Sequence, residues 1–170
     1  MIFELINATY IADEDRLMIR INTSNQEEFR LWLTRRLCLN LLVNIKNLSL
    51  NDLNQKHTKI ESKTIDAFKQ ETLEQQINLK SPYNPSSKLP FGATPILIKD
   101  ITIKNTHPQD DIISINLILA NNKILRSNMN RKALSSIRIL LKNCCTQAHW
   151  TPSSEHTLDS KELPKVINLH

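Results

Sequence analysis

The chain has 170 residues, 40% of them apolar, and a formal net charge of +5. This suits one domain with its own core, or two small repeats sharing one, and no stretch approaches the ~20 apolar residues of a membrane span. A single glycine, Gly92, excludes the glycine-rich phosphate loops of ordinary nucleotide hydrolases and NAD enzymes, where the backbone must approach the phosphates closely.

The N-terminal run Met1-Ile2-Phe3-Glu4 has no basic region and no cleavage site, so no signal peptide is expected. A strand is predicted near 2–11, then a turn at Asp13-Glu14-Asp15. A second strand near 16–23 puts Leu17, Ile19 and Ile21 on one face and Arg16, Met18 and Arg20 on the other. After a turn at Asn22-Thr23-Ser24-Asn25, a third strand near 28–33 sets Phe29, Leu31 and Leu33 inward and Arg30 and Trp32 outward. Thr34 then caps a helix that runs to about Ile45 or Leu48. Leu37, Cys38, Leu39, Leu41, Leu42, Val43 and Ile45 surround most of that helix. Such a helix is buried on more than one side, here by the same chain or by a second copy in a homodimer.

The stretch 49–95 separates two similar units. Its first half, near 57–79, is a polar helix with a sparse stripe of Ile60, Ile65, Phe68 and Leu79. Its second half, from Ser81 to Pro90, is a linker by its Pro and Ser content. Further strands are predicted near 96–104, 111–119 and 123–129, and Asn130 caps a helix to about His149. The tail from Thr151 is polar as far as an anchor at Val166-Ile167.

Three matches in order suggest an internal duplication. Leu5–Ile11 matches Leu97–Ile103 at an offset of 92. Ile19–Asn22 matches Ile113–Asn116 at 94, and Arg30 and Thr34-Arg35-Arg36 match Arg126 and Asn130-Arg131-Lys132 at 96. The expected fold is therefore α+β, with two strand-strand-strand-helix repeats over 1–48 and 96–150 sharing one core, and a tail over 151–170.

Residues 91–150 carry eight basic and three acidic groups, so the positive excess lies in the second unit. The helix starts at Arg35-Arg36 and Arg131-Lys132 place cations where the helix dipole disfavours them. Free N–H groups beside a basic pair make a phosphate site; pairing with carboxylates such as Glu27 or Glu28 is the plainer alternative. Arg16, Arg20, Arg30 and Trp32, joined by Arg126 and Lys123, suit a basic strand face with one aromatic for base stacking; the plainer alternative packs Trp32 under the helix near 57–79. Arg131, Arg138 and Lys142 share a face of the second helix, by default a solvated one. Cys145 and His149 have chelating spacing without further ligands, and Asp13-Glu14-Asp15 reads as a solvated turn, so no metal or other cofactor is expected. Three cysteines, two of them adjacent, are no disulfide framework.

Tandem strand-rich units, each closed by a helix, resemble the PUR and Whirly single-stranded nucleic-acid binders. Those families use four strands per repeat; three are read here. The run Glu28-Phe29-Arg30-Leu31-Trp32-Leu33-Thr34-Arg35-Arg36 is similar to uncharacterised bacterial proteins, which implies no function. The expectation is a cytoplasmic, non-enzymatic binder of single-stranded nucleic acid or another polyanion. The alternative is an interaction or assembly protein using the apolar helix 35–48, the linker and the tail.

Overall fold

The computed structural model describes residues 3–76, 83, 85–107 and 111–150. The strands are β1 (Phe3–Ile11), β2 (Arg16–Thr23), β3 (Glu28–Thr34), β4 (Ile96–His107), β5 (Ile112–Leu119) and β6 (Ile124–Asn130). The helices are α1 (Arg35–Asn54) and α2 (Lys59–Gln76) between β3 and β4, and α3 (Arg131–Gln147) after β6. The fold is α+β. Leu79, the linker residues 81, 82 and 84, and the proposed tail anchor lie outside the described residues.

Strict alternation builds the sheet. Leu17, Ile19 and Ile21 of β2, Phe29, Leu31 and Leu33 of β3, and Ile113, Ile115, Leu117 and Leu119 of β5 are buried. The six strands lie in chain order, antiparallel throughout except for a short parallel pair, Leu31↔Ile96 and Trp32↔Leu97, that joins β3 to β4. The sheet curls until its outer strands touch. The Phe3 N–H of β1 donates to the buried Ser127 Oγ of β6 at 3.3 Å. Leu41 of α1 and Ile137, Leu140 and Leu141 of α3 pack on the inner face, against Ile6, Ile19, Ile115 and Leu117.

The two halves share their element order and their turn chemistry. Arg16 and Ile112, Glu28 and Ile124, and Arg35 and Arg131 begin corresponding elements 96 positions apart. Asp15 and Asp111, and Gln26 and Asn122, all adopt positive φ, between 45° and 60°. In one hairpin Gln26 N–H donates to Thr23 O and Thr23 N–H to Glu27 O; in the other Asn122 donates to Leu119 and Leu119 to Lys123. The offset of 94 read from the sequence for the second strands is therefore a slip. The backbone aligns Ile19 with Ile115 rather than with Ile113, because a shift of two residues keeps every side chain on its face and leaves no trace in the hydrophobic pattern.

Thr34 and Asn130 cap α1 and α3, accepting from Leu37 N–H at 3.4 Å and Ala133 N–H at 2.8 Å. α1 runs past Leu48 to Asn54, farther than predicted, because α2 packs along its last turns. Ser49 Oγ donates to Asp66 Oδ1 of α2 at 2.6 Å. Of the predicted apolar stripe of α2, Ile65 is half-buried but Ile60 and Phe68 are not covered. Ile60 and Phe68 are 80% and 69% exposed, and Ser62 and Asp66 are the buried pair. Asp66 is reached from α3 as well, where Arg138 Nη1 donates to both carboxylate oxygens at 3.2 and 3.0 Å. Lys142 adds an exposed pair to Glu74 at 3.2 Å. α1 is thus covered by α2 and α3 of its own chain, with Val43 left exposed.

A buried charge that loses its partner is costly, whereas replacing both partners with apolar groups costs little. Asp66→Ala is expected to destabilise the fold by about 3 kcal/mol in urea unfolding, and Asp66→Leu with Arg138→Met to recover most of that loss. At the first hairpin, Gln26→Gly is expected to raise stability by about 0.5 kcal/mol in the same assay, since a left-handed glutamine is strained.

Candidate functional site

The strand register assembles the outer face of the sheet. Arg20 lies directly opposite Arg30, Met18 opposite Trp32, and Arg16 opposite Thr34. Asn7 and Thr9 of β1 flank Arg20 and Met18, and Leu97 of β4 follows Trp32. In the second half Arg126 faces Asn116, which Thr102 flanks on β4. Trp32 is half-buried in this row and does not lie under α2, which packs on α1 and α3.

Two like charges directly opposite destabilise a sheet unless something answers them. Glu28 answers Arg30. Its side chain is buried and accepts from Arg30 Nε at 2.6 Å and from Ser86 N–H at 2.9 Å. Burial opposes ionisation of Glu28, but hydrogen bonds from Arg30, Ser86 and Tyr83 outweigh it and hold the carboxyl below its ordinary value. Tyr83 answers Arg20. Its ring lies 5.4 Å from the guanidinium carbon and its hydroxyl donates to Asn22 Oδ1 at 2.5 Å. Burial pushes the Tyr83 phenol well above its usual value, and the Glu28 carboxylate adds to the shift. The linker predicted from Ser81 to Pro90 is therefore docked where it is described. Glu28 N–H donates to Lys88 O at 2.8 Å, and Ser86 Oγ donates to Gln26 O.

The two helix starts differ. Arg131 is held by two carboxylates, Asp52 of α1 and Asp111, the latter at 2.6 Å from Nε. That corrects its expected role as a free phosphate ligand, since its charge is already balanced within the chain. Asp15, the counterpart of Asp111, instead accepts from Tyr10 Oη at 3.0 Å and Trp150 Nε1 at 2.9 Å. Arg35 consequently has no carboxylate partner among the described residues, and the same holds for Arg36 and Lys132. All three are exposed.

The basic stripe of α3 is not the solvated face expected from its spacing. Arg131, Arg138 and Lys142 reach Asp52, Asp66 and Glu74 respectively, so the stripe is what docks α1 and α2. A groove of about 400 Å³ opens where the three helices meet. Leu48, Leu53, Phe68 and Leu73 line it, with Lys69 and Lys132 at its polar side. Arg16 makes a loose exposed pair with Glu14 at 3.6 Å. With Asp15 bonded to Tyr10 and Trp150, the acidic turn is no cation cage. Among the described residues no three His, Cys, Asp or Glu side chains converge as metal ligands, and no helix is long and apolar enough to cross a membrane.

Sequence reasoning missed Asp66 and Trp150, buried residues whose partners are distant in the chain, and offered Glu28 to the helix-start cations, whereas its partner is Arg30 on the same strand. No family model, curated protein or solved structure matches this chain.

The ion-pair geometry separates neighbouring cations. Arg131→Gln is expected to lower stability by about 1 kcal/mol, roughly 3 °C in melting temperature, while Lys132→Gln changes it by less than about 0.3 kcal/mol. Because the Glu28 carboxyl titrates lower in the fold than when unfolded, its contribution is full above the ordinary carboxylate range. It is lost as pH falls through the folded value. Glu28→Gln should accordingly flatten the acid limb of a stability-against-pH curve.

Proposed function

We propose that this chain binds single-stranded nucleic acid, or a polyanion of similar charge density, on the outer face of its sheet. One observation carries the reading. α1 and α3 pack on the inner face and α2 packs on them, so Arg16, Arg20, Arg30, Trp32 and Arg126 stand on a face that none of the helices among the described residues covers. Met18 and Trp32 supply an apolar strip for a base, and the arginines beside them supply charge for the phosphates. Arg35 and Arg36 extend the charge at the end of β3, and Lys132 does so in the second half. Arg131 is left out because its carboxylates already hold it. The recurrence of Arg30 as Arg126 supports descent of both halves from one βββα unit, and three strands per half set the chain apart from the four-strand repeats of the PUR and Whirly proteins.

The reading predicts that a fluorescent oligonucleotide of about 15–20 bases binds in low salt with affinity that falls steeply as salt rises, with a log–log slope of about 0.7 per phosphate contact. Arg20→Gln with Arg126→Gln should weaken binding on the order of 10-fold, and flatten the slope by about one to two units, with little change in melting temperature. No binding at low salt by the folded wild type would reject it.

A second reading has its own observation. Ile60 and Phe68 stand exposed on α2, with Val43 exposed on α1, and Phe68 borders the groove between the helices. Under this reading the helical side takes a protein partner, which includes a second copy. Such an apolar contact would hardly respond to salt, and Phe68→Ser would remove it while leaving oligonucleotide binding intact.

A further inference from the structure

The three cysteines are buried and free. Cys38 sits near the start of α1 and Cys145 near the end of α3, 107 residues apart in sequence, yet their sulfurs lie 3.5 Å from each other. A disulfide needs ~2.05 Å, so a shift of roughly 1.5 Å between the helices would close it. Cys144 cannot intercept the bond. Its Sγ points to Ala8 O at 3.6 Å, and adjacent helical side chains diverge by about 100°.

We propose that Cys38 and Cys145 are an oxidisable pair, converted by a low-molecular-weight disulfide into an intramolecular disulfide that ties the first half's helix to that of the second. The inference is independent of what the sheet face binds. Access to Cys145 runs through the end of α3. Beyond Gln147 the chain turns at His149, with φ of 53°, into Trp150. The indole N–H of Trp150 donates to Asp15, and its ring meets Tyr10 edge-on at 5.6 Å. Undocking of that one residue, with fraying of the last helical turn, exposes Cys145 without unfolding the sheet.

The chemistry balances with the oxidant named. The Cys145 thiolate attacks one sulfur of the small disulfide and expels one small thiolate. The Cys38 thiolate then attacks the Cys145 sulfur of the mixed disulfide and expels the second. Two protein thiols lose two electrons and two protons; one small disulfide becomes two thiols. Cys145 is the first attacker because the hydrogen bond from Cys38 lowers its pKa against burial, and the Arg35 charge lowers it further. Cys38 is pushed far up by the same hydrogen bond and by burial, so it acts once Cys145 is capped and that bond is gone.

The test incubates the folded full chain with oxidised glutathione at mildly alkaline pH, then alkylates and maps peptides in denaturant. The expected result is a fall from three free thiols to one, a Cys38–Cys145 linked peptide and an alkylated Cys144. Cys144→Ser should give the same link. Cys38→Ser should stop with glutathione on Cys145, and Trp150→Phe should speed the reaction several-fold. Closing a loop of this length should raise the melting temperature on the order of 10 °C. Three thiols persisting in the folded wild type would overturn the proposal. So would oxidation no faster than global unfolding measured in parallel, or a link through Cys144. These readouts on the wild type decide the matter even if Cys38→Ser does not fold.

Discussion

A carboxylate on a polar helix, Asp66, organises the helical side of this molecule. It is buried and accepts from Ser49 of α1 and twice from Arg138 of α3. A charge in that position is tolerable only while its partners hold it, so α2 has one angle at which it sits across the other two helices. The consequence reaches beyond α2. Arg131 and Arg138 on α3 are turned to acidic groups of the neighbouring helices, while Lys142 pairs with Glu74 at the surface.

On the outer face of the sheet a second carboxylate plays a related part. Glu28 is met by Tyr83 and the 85–93 segment, which bring Ser86 to its oxygens and Tyr83 to Arg20. Without those partners Arg20 and Arg30 would face each other across adjacent strands with only water to separate their charges. The segment therefore stabilises the arginine pair and also occupies one edge of it. A strand of nucleic acid would find Trp32, Met18 and Arg16 open at the other end of β2 and β3. Arg30 is shared between Glu28 and the Ala93 carbonyl, with part of its side chain exposed.

The strands were legible because β2, β3 and β5 alternate almost without fault, and period two needs no tertiary information. The helix starts were legible because Thr34 and Asn130 are good caps and follow strands directly. The two-residue difference between the offset of 94 and the spacing of 96 between corresponding elements was not detectable, since face and composition survive it. The left-handed pairs Asp15 with Asp111 and Gln26 with Asn122 share the spacing of 96, but a non-glycine at positive φ leaves little mark in sequence. α2 was misread because amphipathic reasoning puts Ile60 and Phe68 inside, whereas the ion pair with Arg138 puts Ser62 and Asp66 there. Arg131 was the ambiguous residue of the candidate site. Its partner Asp52 is 79 positions away, and no local pattern joins the two.

The proposal turns on the cations of the sheet face being available to a polyanion, while Arg131 and Arg138, paired within the helical layer, are not. Nuclear magnetic resonance of the tryptophan indole and arginine side-chain N–H groups, recorded while a short single-stranded oligonucleotide is added in low salt, tests it most directly. The two tryptophans act as opposed reporters: Trp32 on the outer face, and Trp150 buried with its N–H on Asp15. The account predicts that signals of Trp32, Arg16, Arg20 and Arg126 move together with added oligonucleotide while Trp150, Arg131 and Arg138 stay fixed. Movement of Arg131 and Arg138 with Trp32 unchanged would contradict it.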